Sequence, residues 1–289
     1  MKHSIKPHYG KGFDLLLALP LLAYVLLLAV FIAVMFMKLS PVAVREIFAS
    51  PPIRDAFLRS LYTSVISTLI SLGIAIPSGY VLSRYRFPGW SIIDSLLDIP
   101  IVLPPLIMGL CILLFFARTS VGQFLDRGLA AWLSQYLHWI HPSGGLFIFN
   151  VGGIIVAQVV IGCAFAVRVI KSGFDALDPR YEEVAMTLGA NRRQTFAKII
   201  LPGISSSLIA GAVISWARIF GLFGPILLIC GTTRFRTEIL PTSIYLEYSV
   251  GNLDGALVMG VVMIVISMLT LLLFKHFAGD MEVWKCSRP

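Results

Sequence analysis

The sequence predicts an all-α integral membrane protein with six transmembrane helices, and three observations carry that prediction. Of 289 residues, 57% are hydrophobic, giving a mean hydropathy of +0.88. Only 13% are charged, against about 25% in a soluble globular domain. Several apolar runs also reach the roughly 20 residues that a helix needs to cross about 30 Å of hydrocarbon. One membrane domain, residues 15–277, holds every run. It lies between a polar segment, residues 1–14, and a short tail, residues 278–289.

The first apolar run, residues 15–36, follows a basic start (Lys2, Lys6, Lys11). It is too long for a signal-peptide core and no A-x-A-like cleavage site follows, so a retained helix is expected. Residues 38–57 read as a proline-marked connection. The second run, residues 61–82, carries Ser and Thr able to bond to their own helix or to neighbours. SRYRFPGW, residues 83–90, is a basic-aromatic turn. The third run, residues 92–116, contains Pro100, Pro104 and Pro105. Residues 117–147 form the longest polar connection, with an amphipathic piece around residues 129–139. The fourth run, residues 148–170, leads into a polar loop, about residues 171–204. The fifth run, residues 205–230, carries Arg218 and GLFGP, in which Pro225 can break the helix near the outer face. A further polar connection, residues 231–255, precedes the sixth run, residues 256–277.

Six spans put both termini on one side, and the basic residues say which. Of the 23 Lys and Arg, 14 fall on the side of the termini, 8 fall on the other side, and Arg218 lies within a span. The positive-inside rule therefore places both termini and residues 171–204 in the cytoplasm.

Several function classes are disfavoured. The net charge of +8 flanks apolar runs and makes no aromatic-interleaved stripe of the kind that binds nucleic acid. Cys111, Cys163, Cys230 and Cys286 are scattered without a CxxC, and the five histidines make no ligand-like pair with them. Neither a metal site nor a disulfide framework is indicated. An ion-coupled secondary transporter predicts acidic or histidine residues deep in spans; Asp94 and Asp98 lie near a span end. No carboxylate pair or nucleophile motif supports a membrane enzyme.

Two features stand out as pathway candidates. Pro104 and Pro105 interrupt a span. A membrane tolerates this where packed protein or a water-filled cavity satisfies the freed carbonyls, so a kinked helix lining the pathway competes with a purely structural kink. Arg218 lies roughly 20 Å along its helix. Lipid exposure at such depth costs at least about 2.5–3.5 kcal/mol, so the side chain should face the bundle, a cavity or a partner. Its five-donor guanidinium suits an oxyanion; the plainer role is a structural arginine satisfied by helix carbonyls.

The most specific pattern is the loop itself, YEEVAMTLGANRRQTFAKIILP, residues 181–202. Asp178-Pro179 can open a helix. Val184, Ala185 and Leu188 then share one face, and Gly189 can end the turn left-handed. Asn191 can cap a second helix that runs to Leu201-Pro202. Glu182, near the first helix start, complements the helix dipole.

This stretch resembles the EAA loop of permease subunits of ABC importers, in Glu183, Ala185, Gly189, Ile199, Leu201 and Pro202. Val184 stands where that family has alanine. The likeness runs from about residue 57 to 277. SGYVLSRYRFPGWSIIDSLLDIPIVLPPLIMGL and SWARIFGLFGPILLICGTTRFRTEILPTSIYL are similar to the molybdate, tungstate and sulfate group. Members of that group commonly read GEFG where this chain has GLFG, so Leu222 leaves the particular anion open. Thiosulfate, phosphate, ferric ion and polyamine remain alternative solutes.

The resemblance implies a type I importer permease fold in a prokaryotic plasma membrane. It implies two permease copies forming a pore, homodimeric or heterodimeric, and two ATPase subunits docked on the cytoplasmic loops. A periplasmic or lipid-anchored binding protein would deliver the solute. Transport would be by alternating access, with Glu183, Val184, Ala185, Gly189, Ile199, Leu201 and Pro202 as the ATPase-coupling residues. The chain has no GxxxxGK[ST] P-loop, so ATP and magnesium would be used by the partner, and no cofactor is expected on this chain.

Overall fold

The computed structural model describes residues 11–128, residue 131 and residues 145–286, and each regular element among them is helical. The amphipathic piece expected around residues 129–139 lies outside, except for residue 131, as do residues 1–10 and 287–289. Helix α1 (Lys11–Met37) is followed by α2 (Pro41–Ala49) and α3 (Pro51–Arg84). The expected proline-marked connection is thus largely helical. Its prolines start helices instead of stopping them, because a missing N–H costs nothing in the first turn.

The third run is not a kinked helix but two helices, α4 (Trp90–Val102) and α5 (Pro105–Arg118), bent by 112°. Proline at both 104 and 105 removes the donors that would reach the Pro100 and Ile101 carbonyls, and one missing bond becomes two. A helical turn, α6 (Ser120–Gln123), continues as a π-turn through Gly128. Helix α7 (Val151–Ala176) is the fourth span. The loop forms α8 (Arg180–Thr187) and α9 (Arg192–Gly203), and α10 (Ser205–Phe220) leaves α9 at 69°.

Helix α11 (Gly224–Cys230) completes the fifth run. The break falls at residues 221–223, just before the residue expected to cause it: Pro225 sits in the first turn of α11 and helps to start that helix. The polar connection of residues 231–255 is partly helical. It contains α12 (Leu240–Ser249), in which Leu240, Thr242, Ser243 and Glu247 are buried. Helix α13 (Leu253–Cys286) closes the chain and runs past residue 277. Among the described residues four helices are long and apolar enough to cross a membrane, or up to six spans if each bent pair counts as one.

The centre of the bundle is the packing of α3 against α7 and α10. The buried face of α3 is a seam of Ser60, Thr63, Ser64, Ser67, Thr68 and Ser71. Some hydroxyls bond back to their own helix, as from Thr63 to the Arg59 carbonyl at 2.8 Å. Others cross: Ser67 donates to Gln158 Oε1 at 2.9 Å, and Trp216 Nε1 donates to Ser64 Oγ at 3.1 Å. Small side chains let helices approach closely in a membrane, and cross-helix hydrogen bonds then fix their register.

Both ends of this core are tied. At one end the buried Arg59 donates to Asp55 at 2.6 Å, to the Phe235 carbonyl at 3.1 Å and to the Glu238 carbonyl at 3.0 Å. At the other end Arg168 of α7 donates to Asp94 Oδ1 at 2.8 Å and also to Asp98. The two acids near a span end therefore anchor α4 and do not stand free.

Candidate functional site

The loop folds as a hairpin of helices. Asp178 Oδ1 accepts from the Arg180 amide at 2.9 Å and caps α8. Gly189, at φ +90, makes the left-handed exit that an L side chain rarely adopts. Asn191 and Gln194 form a reciprocal capping box at the start of α9. A π-bulge at Phe196–Ile200 immediately precedes Pro202, whose absent N–H disturbs the ladder there. The chain then turns into α10, so Ile199, Leu201 and Pro202 lie at the junction between hairpin and span.

The two faces of α8 differ. Tyr181, Val184, Met186 and Leu188 are exposed, Leu188 at 83%, while Ala185 is 5% exposed. Ala185 lies in a depression of about 350 Å³ that Tyr181, Val184, Leu188 and Ile199 also line. Its small side chain lets the hairpin close, so the accessible apolar surface is presented by its neighbours. Glu183 and Gly189 are exposed.

Glu182 has a role beyond the helix dipole. Its Oε1 accepts from Arg84 Nε at 2.7 Å and its Oε2 accepts from the Tyr80 hydroxyl at 2.9 Å. Arg84 Nη2 also donates to the Leu177 carbonyl at 2.9 Å, beside the end of α7. The Tyr80 ring meets Phe174 and Phe196 edge-on, with centroids 5.5 and 5.2 Å away. No local pattern pairs residues about 100 positions apart; the only trace in the sequence was one basic residue at the end of a span and one acid in the loop.

The pathway candidates converge. Pro100–Pro105, Phe165, Arg218 and Gly221–Gly224 line one cavity of about 520 Å³. Pro100 and Ile101, whose carbonyls lose their helix donors to the two prolines, are among the lining residues. Arg218 is exposed to it, with its guanidinium 4.7 Å from the Phe165 ring centroid. Among the described residues it makes no ion pair. Leu222, at the position where the resembled group has glutamate, is 5% exposed in an apolar cluster with Ile112, Ile161 and Ile226. The first residues of α5 and α11, Pro105 and Gly224, bound one side of the cavity.

A bundle of broken spans carrying an external helix hairpin is the architecture of importer membrane subunits. The membrane chain of a bacterial alginate ABC transporter superposes with a TM-score of 0.71 at 18% identity, covering 93% of this chain and 96% of that one. The MetNI methionine ABC transporter gives 0.55 at 17%, covering 80% and 98%. These likenesses concern the fold. Residues 75–283 match the family described as binding-protein-dependent transport system inner membrane component, and the chain belongs to that family. It is 30% identical over 264 residues to the sulfate transport system permease protein CysT of Salmonella typhimurium, covering 90% of each chain. It is 31% identical over 225 residues to the molybdenum transport system permease protein ModB of Escherichia coli strain K12, covering 78% of this chain and 93% of that one. The molybdate/tungstate transport system permease protein WtpB of Thermococcus kodakarensis is 32% identical over 212 residues, covering 72% and 73%. The protein is a multi-pass inner-membrane transport subunit.

Proposed function

We propose that this chain is the pore-forming subunit of an ATP-driven importer for a small oxyanion: sulfate, molybdate or tungstate. The observation that carries the reading is the hairpin surface. Tyr181, Val184, Met186 and Leu188 hold apolar side chains out from a polar segment that the basic residues place in the cytoplasm. Such a patch marks a protein interface, and the partner is a separate ATPase that uses ATP and magnesium. Glu183 lies free beside the patch for a basic group of that partner, while Gly189, Ile199, Leu201 and Pro202 shape the hairpin. Both termini share the cytoplasmic side. A second permease copy completes the pore and a binding protein supplies the anion from outside.

Arg218 is the cationic group of the cavity that Pro104 and Pro105 open. It offers planar donors to a tetrahedral anion entering the cavity. Relatives named for sulfate and for molybdate or tungstate transport support this solute class. The test is uptake into liposomes by the chain reconstituted with its ATPase and binding protein. Labelled sulfate, molybdate and tungstate should enter only with ATP inside. ATP-dependent entry of phosphate, ferric ion or a polyamine in their place would reassign the solute. Uptake undiminished without the ATPase would overturn the reading.

A further inference from the structure

We propose that Tyr80, Arg84 and Glu182 form the linkage through which the hairpin moves the membrane helices. This rests on the hairpin being the handle of the ATPase. A handle that docks a motor needs a stiff attachment to what it moves, and along the chain the hairpin joins the membrane helices only through the short breaks at residues 177–179 and at Ile204.

The clamp removes that freedom. Glu182 uses both carboxylate oxygens on α3, one on Arg84 at 2.7 Å and one on Tyr80 at 2.9 Å. Arg84 at the same time holds the Leu177 carbonyl at 2.9 Å, so one guanidinium joins α3, the end of α7 and α8. The pair is shielded, at 11% and 16% side-chain exposure. A charge-assisted pair held there resists displacement far better than an exposed one. The edge-on contact of Tyr80 with Phe196 ties the second helix of the hairpin to the same point.

The rod on which the clamp sits reaches the other side of the membrane. From Arg84 back to Arg59 is about 38 Å of helix at 1.5 Å per residue. Arg59 is bonded there to the Phe235 and Glu238 carbonyls of the connection of residues 231–255. Adjacent glutamates thus divide the work: Glu183 is left free for the partner, while Glu182 turns inward and fastens the handle.

The test is the complete importer in liposomes, with uptake and ATP hydrolysis measured together and ATPase retention measured by co-purification. Glu182→Gln and Tyr80→Phe should keep the ATPase, since Val184 and Leu188 are untouched. Solute delivered per ATP should fall about tenfold, the ratio given by a linkage weaker by roughly 1.4 kcal/mol. Arg84→Lys keeps the charge without the fork and should fall likewise. Unchanged delivery per ATP, or loss of the ATPase with Glu182→Gln, overturns the proposal. If Glu182→Gln does not accumulate in the membrane, Tyr80→Phe, which removes a single hydroxyl, decides by the same ratio. A wild-type chain that fails to retain the ATPase would instead sink the handle itself, which is a distinct result.

Discussion

Gly109 of α5 rests on Pro225 of α11 backbone to backbone: a methyl built at 109 would lie 2.5 Å from the Pro225 Cα and 3.1 Å from its carbonyl oxygen. The second halves of two broken segments therefore meet where no side chain fits, beside the cavity that holds Arg218. Gly109→Ala should lower the unfolding midpoint of the purified chain, by an overpacking cost of about 1–3 kcal/mol, and should reduce uptake. Gly73→Ala, with nothing within 4 Å, is the control and should be neutral or slightly stabilising.

Arg218 is exposed to the cavity and free of carboxylates among the described residues, so its removal should act on transport and leave folding intact. Arg218→Ala should cut anion uptake about tenfold or more, as expected from loss of hydrogen bonds to a charged group, worth about 1.5–3 kcal/mol. Arg218→Lys should keep part of the activity. Uptake at the wild-type rate by a normally assembled Arg218→Ala protein removes this residue from the pathway.

The exposed face of α8 predicts a pattern of cross-linking. Cysteine at Val184 or Leu188 should join to the ATPase, and cysteine at the buried Ala185 should not. Leu188→Ala should weaken ATPase retention about tenfold, given roughly 1.5–3 kcal/mol for fully burying a leucine. Equal labelling at all three positions would mean that the hairpin opens in the complex.

Glu238 supplies a pH dependence. Burial pushes its carboxyl above the ordinary glutamate value, while Ser243, Arg234 and Arg59 oppose the shift only in part. The folded chain then holds this proton more tightly than the unfolded chain, so stability should fall as pH rises above the usual carboxylate range. The acid should be best accommodated below that range, where both states are protonated. Glu238→Gln should flatten the slope of unfolding midpoint against pH above the ordinary glutamate range. A wild-type slope retained in Glu238→Gln would assign it to another group.

The sequence by itself determined the class and the local geometry. Apolar runs of membrane-spanning length are a composition effect, and hairpin capping by Asp178, Gly189 and Asn191 depends on neighbours within a few positions, so both were legible. Only the tertiary structure decided that Pro104 and Pro105 split a span by 112° around a cavity shared with Arg218. It alone showed that the connection of residues 231–255 is partly buried helix, that Ala185 faces inward, and that Glu182 belongs to Arg84 and Tyr80. The physical reason is common to all of these. Partners nearly a hundred residues apart are selected by helix packing, and a linear pattern records which groups are available without recording which of them meet.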